Sequence, residues 1–76
     1  MKVYGKNVLY AALSSNHKIY EVYLRNDIYE EDKYIVSELK KRNIKIHLLD
    51  KGKMNQMFEG LNQGYGANIE NFPPYT

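Results

Sequence analysis

Two short turns that contain glycine carry the residues best suited to binding chemistry. The first is Gly5-Lys6-Asn7, which lies between a predicted strand and a predicted helix. Free backbone N–H groups and the positive end of a helix dipole make such a turn a natural phosphate site, and its lysine adds positive charge. The second is Asn62-Gln63-Gly64, where the glutamine amide offers both a donor and an acceptor. Each turn also has a plain structural interpretation, an N-cap at Asn7 and a helix stop at Gly64.

The other polar residues do not form a catalytic pattern. The chain has no cysteine, which excludes disulfides, thiolate zinc sites and cysteine nucleophiles. His17 and His47 have no second ligand at metal-binding spacing, so we interpret both as structural. The acidic run 30–32 is better explained by the charge preference of a helix N-terminus than by paired catalytic carboxylates. Nucleophile-elbow, phosphate-loop and dinucleotide motifs are absent, so we predict no catalytic or metal-binding residue in this chain.

Length and composition indicate one small folded domain. The chain has 76 residues, of which 43% are hydrophobic and 26% are charged, as in ordinary globular proteins. The net charge of +2 is a weak hint of an anionic partner. No apolar run approaches the roughly 20 residues of a membrane span, and no signal peptide is visible, so we expect a cytoplasmic location. The eight tyrosines suit strands, interfaces and base-stacking surfaces equally.

The apolar spacing predicts four strands that alternate with three helices. The strands are predicted over 1–4, 19–24, 44–48 and 65–70, and the helices over 7–13, 30–42 and from Asp50 onward. Asn43 is a predicted left-handed C-cap, and Asp50 is a predicted N-cap. The last helix should bury a stripe formed by Met54, Met57, Phe58 and Leu61. The order β-α-β-α-β-α-β predicts an α/β fold, a three-layer α/β/α sandwich around a mixed, mostly parallel four-stranded sheet.

Three segments together resemble a known family. They are Tyr4-Gly5-Lys6-Asn7-Val8-Leu9, Ile19-Tyr20-Glu21-Val22-Tyr23-Leu24 and Asn62-Gln63-Gly64-Tyr65-Gly66-Ala67. The last is similar to a His-Gln-Gly-x-x-Ala signature, with Asn62 in place of the histidine. In this order, over roughly residues 3–70, the chain resembles the N-terminal substrate-binding domain of SpoU/TrmH-type RNA 2′-O-ribose methyltransferases. Asparagine has no imidazole, so the resemblance carries over no role that needs a ring nitrogen at position 62.

The resemblance implies a fold like that of ribosomal proteins that bind kink-turn RNA, and a role in recognising structured RNA, ribosomal more than transfer. It also implies a separate knotted domain that binds S-adenosylmethionine, transfers the methyl group and forms a homodimer. We therefore expect residues 1–70 to be the RNA-binding domain and 71–76 to begin a linker to a catalytic domain absent from this chain. On that view the 76-residue chain is a monomer without cofactor or methyltransferase activity.

The predicted RNA-binding surface combines the two turns with a basic residue after the second strand. Its members are Gly5, Lys6, Asn7, Arg25, Gln63 and Gly64. The glycines admit the RNA backbone, Lys6 and Arg25 neutralise phosphates, and the amides read bases or 2′-hydroxyls. Lys51 and Lys53 are interpreted as solvent-exposed unless they adjoin this surface. Two alternatives stay open, a complete non-catalytic kink-turn-type or ribosomal RNA-binding protein and a protein-interaction module that uses the tyrosines.

Overall fold

Four strands and four helices follow one another in the computed structural model, which describes residues 1–15, 17–58 and 63–70. Their bounds in chain order are β1 (Lys2–Tyr4), α1 (Lys6–Ser14), β2 (Ile19–Arg25), α2 (Asn26–Glu31), α3 (Lys33–Lys41), β3 (Lys45–Leu49), α4 (Lys51–Met57) and β4 (Tyr65–Ile69). The α/β class and the mixed four-stranded sheet are confirmed. The predicted linker 71–76 lies outside the described residues.

The predicted second helix, 30–42, corresponds mainly to α3, and an additional helix, α2, begins four residues before the predicted start, so the predicted order β-α-β-α-β-α-β is wrong at this point. Asp32 separates α2 from α3 with φ −96° and ψ 77°, outside the helical region. Its carboxylate accepts a hydrogen bond from the backbone N–H of Ile35 at 3.1 Å and thereby caps α3. An aspartate that bonds the nearby backbone competes with the helix ladder, which explains the break.

The sheet is mixed, but the prediction that it is mostly parallel is wrong. The strand order is β1-β4-β2-β3, and β4 is antiparallel to both of its neighbours. Only β2 and β3 pair in parallel. Leu49, at the end of β3, pairs with Arg25 of β2, and Tyr65, at the start of β4, pairs with Leu24. The chain thus leaves β3 and enters β4 at the same end of the sheet, so these two strands run in opposite directions.

The two faces of the sheet are covered unequally. Helices α1, α2 and α3 pack against one face, where Val22 and Leu24 of β2 are completely buried. Tyr23 alternates with them and lies on the other face, packed with Met54 of α4 and with Phe58. None of the helices in the described ranges is long and apolar enough to cross a membrane.

The predicted caps around β3 are confirmed, whereas the predicted stripe of the last helix is only partly right. Asn43 has φ 57°, and Asp50 accepts a hydrogen bond from the backbone N–H of Lys53 at 2.8 Å. Met54 and Phe58 are buried, but Met57 is 38% exposed because α4 ends there. Leu61 lies outside the described residues.

Candidate nucleic-acid interface

The first turn is joined to the second by one hydrogen bond at the start of α1. The backbone N–H of Lys6 donates to Oε1 of Gln63 over 3.0 Å. The predicted N-cap at Asn7 is wrong, because α1 begins at Lys6 with Gly5 in the cap position and no cap from a local side chain. Gly5 has φ 106°, a conformation that favours glycine, and its N–H donates to the carbonyl of Tyr65 at 3.0 Å. Gln63 therefore supplies the acceptor that the start of the helix needs.

The second turn has a left-handed backbone at Gln63 and Gly64, and the glycine position has no room for a side chain. Gln63 has φ 57° and Gly64 has φ 83°. The positive φ at Gly64 is a conformation that favours glycine. A Cβ added to Gly64 would lie 2.6 Å from Cγ1 of Ile28 and 3.3 Å from Cβ of Arg25. The carbonyl of Gly64 accepts a hydrogen bond from the N–H of Arg25 at 2.9 Å. The turn is thus packed directly against the start of α2.

The structure brings together five of the six predicted surface residues through these contacts, namely Gly5, Lys6, Arg25, Gln63 and Gly64. Asn7 follows in the first turn of α1 and is exposed to solvent, so it lies beside the cluster without being its cap. Asn62 lies outside the described residues. The two turns meet at one end of the sheet, as the sequence predicts.

Arg25 is held by a residue that the sequence analysis did not single out. Its Nε donates to Oδ1 of Asp27 at 2.6 Å, and its second guanidinium nitrogen donates to Oδ2 at 3.1 Å. These bonds raise the pKa of the Arg25 guanidinium and lower the pKa of the Asp27 carboxyl. Asp27 lies two residues after Arg25, the last residue of β2, and this short spacing is the signal in the sequence that could have indicated the pair. The guanidinium is thus oriented beside Gly64 but already paired.

A second unpredicted feature is a carboxylate shared by two tyrosines. Oδ2 of Asp32 accepts hydrogen bonds from the hydroxyl groups of Tyr10 at 2.8 Å and Tyr65 at 2.6 Å. Burial alone raises the pKa of Asp32, but the bonds from Tyr65, Tyr10 and a backbone N–H outweigh it, so this pKa lies below its ordinary value. Burial and the bond to Asp32 raise the pKa of Tyr10 to about 12. The cluster ties α1 and β4 to the start of α3.

This cluster forms the floor of a groove of about 440 Å³ beside the two turns. The groove is lined by Lys6, Tyr10, Ile28, Glu31, Asp32, Gln63 and Tyr65. The ammonium group of Lys6 lies 5.7 Å from the centre of the Tyr10 ring, a cation–π distance. The groove therefore carries both positive and negative side chains. Its amide and tyrosine groups suit hydrogen bonds to the polar edges of bases better than the binding of many phosphates.

Both histidines have a carboxylate neighbour. Nε2 of His47 lies 2.8 Å from Oε1 of Glu21, and its ring stacks on Tyr23 with a centroid distance of 5.0 Å. Nδ1 of His17 lies 3.7 Å from Oε2 of Glu70. The parallel register of β2 and β3 creates the first pair, which the sequence alone did not reveal. Within the described ranges no group of three or more potential ligands is suited to a metal ion.

Comparison with known families places the chain in a class of domains. A sequence model described as RNA 2′-O ribose methyltransferase substrate binding matches residues 2–75. The match covers nearly the whole chain, so the protein belongs to this family of substrate-binding domains. The resemblance stated from the three sequence segments is thereby confirmed. A search of curated proteins finds no match.

Proposed function

We propose that this chain is the RNA-recognition domain of an RNA 2′-O-ribose methyltransferase and that it contacts RNA through the Gly5-Lys6 and Gln63-Gly64 turns. The observation that carries the proposal is the hydrogen bond from the Lys6 N–H to Gln63, within a chain that belongs to the family of substrate-binding domains. That bond fixes Oε1 of Gln63, and its NH₂ group remains as a donor for a base or ribose oxygen.

The charges beside the turns support contact with a small number of phosphates. Lys6 is exposed at the start of α1, and the guanidinium of Arg25 lies against Gly64. Lysine and arginine neutralise phosphates and so position the RNA, whereas amides form hydrogen bonds with the edges of the bases. The surface combines both kinds of contact. Asn7, exposed on the next position of α1, adds a second amide.

The remaining parts of the proposal concern the complete enzyme. Its RNA is ribosomal in preference to transfer RNA, its methyl donor is S-adenosylmethionine, and both the donor site and the homodimer contact belong to a catalytic domain outside these 76 residues. The enzyme acts in the cytoplasm. The chain alone recruits substrate and transfers no methyl group.

Two substitutions of Gln63 separate the structural role from the RNA contact. In Gln63→Glu a carboxylate still accepts from the Lys6 N–H, so stability should stay within about 0.5 kcal/mol of the parent. Its negative charge and the loss of the NH₂ donor should weaken RNA binding about ten-fold. Gln63→Ala removes the acceptor as well and should lower the free energy of unfolding by about 1 kcal/mol.

The measurement is fluorescence anisotropy with a fluorescein-labelled RNA hairpin that contains an internal loop, with urea unfolding in parallel. A DNA hairpin of the same sequence is the control, since it lacks the 2′-hydroxyl groups. We expect the parent chain to prefer the RNA. Equal binding of RNA and DNA, or a Gln63→Glu variant that binds RNA as tightly as the parent, would contradict the proposal.

A further inference from the structure

A second groove lies beside the Gln63-Gly64 turn, at the carboxyl ends of the parallel strands β2 and β3. Its volume is about 390 Å³, and it is lined by Arg25, Asn26, Asp27, Asp50 and Lys51. We propose that this groove binds a phosphate of the RNA backbone through Arg25 and Lys51, with Asp27 as the internal competitor that RNA displaces from Arg25. This inference rests on the proposed RNA-binding function and extends its surface.

The groove is continuous with the turn through Arg25. The N–H of Arg25 donates to the carbonyl of Gly64 at 2.9 Å, and a Cβ on Gly64 would lie 3.4 Å from Cζ of the guanidinium. Because Gly64 has no side chain, the guanidinium lies directly against the turn. A strand of RNA that follows the turn would therefore reach Arg25 next.

The pair between Arg25 and Asp27 has the geometry that a phosphate would use. The guanidinium makes two hydrogen bonds to the two carboxylate oxygens, and arginine binds phosphate oxygens in the same forked manner. The side chain of Asp27 is 52% exposed and that of Arg25 is 27% exposed. The exposure of Asp27 lets a ligand from solvent reach the pair, and a phosphate replaces the two hydrogen bonds that the carboxylate gives up.

Lys51 provides the second positive charge of the groove. It is exposed at the first position of α4, and the ion pairs found among the described residues do not include it. The neighbouring carboxylate of Asp50 accepts from the N–H of Lys53 at 2.8 Å and is thus engaged with the backbone. Lys51 therefore adjoins the predicted surface, which the sequence analysis left open.

The test compares Lys51→Ala with Lys45→Ala, using the RNA hairpin described above over a range of salt concentrations. Lys45 is the matched control, because it is an exposed lysine at the opposite end of β3, about 13 Å along the strand from Leu49. Lys51→Ala should weaken binding about five-fold and reduce the slope of log K against log salt by about 0.8, the loss of one phosphate contact. Lys45→Ala should change neither.

A second variant tests the competitor. Asp27→Asn should bind the RNA about three-fold more tightly, since an uncharged amide competes less well than a carboxylate for the guanidinium, and Arg25→Ala/Asp27→Asn should bind no more tightly than Arg25→Ala. An unchanged slope for Lys51→Ala, or unchanged or weaker binding by Asp27→Asn, would overturn this inference. If Gln63→Glu weakens binding while Lys51→Ala does not, this inference fails and the proposed function stands. Absence of RNA binding by the parent chain would overturn both.

Discussion

At the residue scale, Asp32 connects three elements through one carboxylate. Its Oδ1 caps α3, and its Oδ2 accepts from tyrosines on α1 and β4. From the sequence alone, Asp32 is explained only as a favourable charge at a helix N-terminus. The tyrosine partners are 22 and 33 residues away along the chain, so local spacing gave no sign of them. The groove beside Gln63 depends on this arrangement, because the same three side chains line it.

Replacement of this carboxylate should weaken the fold. In Asp32→Asn the amide keeps an oxygen for the cap, but it cannot accept from both tyrosine hydroxyls as the carboxylate does. We expect the free energy of unfolding, measured with urea, to fall by about 2 kcal/mol. Tyr10→Phe, which removes one hydroxyl, is the matched control and should cost about 1 kcal/mol. An Asp32→Asn variant as stable as the parent would contradict this account.

The same cluster predicts the pH dependence of stability. The pKa of Asp32 is below its ordinary value of 3.8, so its contribution is complete well above pH 3.8 and is lost as the pH falls through 3.8 toward the folded-state pKa. The pKa of Tyr10 is raised from 10.0 to about 12, so its contribution is complete below pH 10 and is lost as the pH rises toward 12. Urea unfolding at a series of pH values should show both losses. Asp32→Asn should reduce the acid loss without abolishing it, because the pKa of Asp27 is lowered as well; an unchanged acid limb in that variant would contradict the assignment to Asp32.

At the scale of elements, the turn at Gly64 requires a glycine, whereas the helix α4 does not require one at Gly52. Gly64 has φ 83° and no room for a Cβ, whereas a Cβ on Gly52 of α4 would meet only Oδ1 of Asp50, at 3.5 Å. Gly64→Ala should therefore lower the free energy of unfolding by about 2 kcal/mol or more, from backbone strain and contact with Ile28. Gly52→Ala should raise it by about 0.5 kcal/mol, because alanine favours a helix. Thermal unfolding of both variants checks the contrast, and equal effects would contradict it.

The elements themselves were largely predictable, whereas their arrangement was not. The strands from Ile19 and Tyr65 begin where the sequence predicts, because alternation of apolar residues is a local signal. The position of β4 between β1 and β2 depends on pairing between distant segments, for which the sequence offered no local signal. The division between α2 and α3 depends on a single cap at Asp32 within an otherwise helical pattern.

At the scale of the whole molecule, the candidate site also depends on contacts between segments that are far apart in the sequence. The six predicted residues come from two turns and one strand end, and contacts join five of them. The sequence predicts the cap of α1 at Asn7, because a cap is usually local. The acceptor is Gln63, which is 57 residues away from Lys6 in sequence. Only the folded chain brings that pair together.

The modest charge of the molecule predicts a shallow dependence of RNA binding on salt. The net charge is +2, and the described surface offers Lys6, Arg25 and Lys51 to phosphates. Three contacts correspond to a slope of about −2 to −3 in log K against log salt. The anisotropy titration of the parent chain measures this slope directly. A slope steeper than about −6 would show that RNA contacts a much larger basic surface than the one described.

The central claim is that RNA contacts the end of the sheet where the two turns meet. Titration of the ¹⁵N-labelled chain with the RNA hairpin, followed by two-dimensional NMR, tests it residue by residue. The account predicts that the largest changes in backbone amide signals occur at Gly5, Lys6, Gln63 and Gly64, with Arg25 beside them. Changes confined to α3 and to the opposite end of the sheet around Lys45, with these amides unaffected, would contradict it.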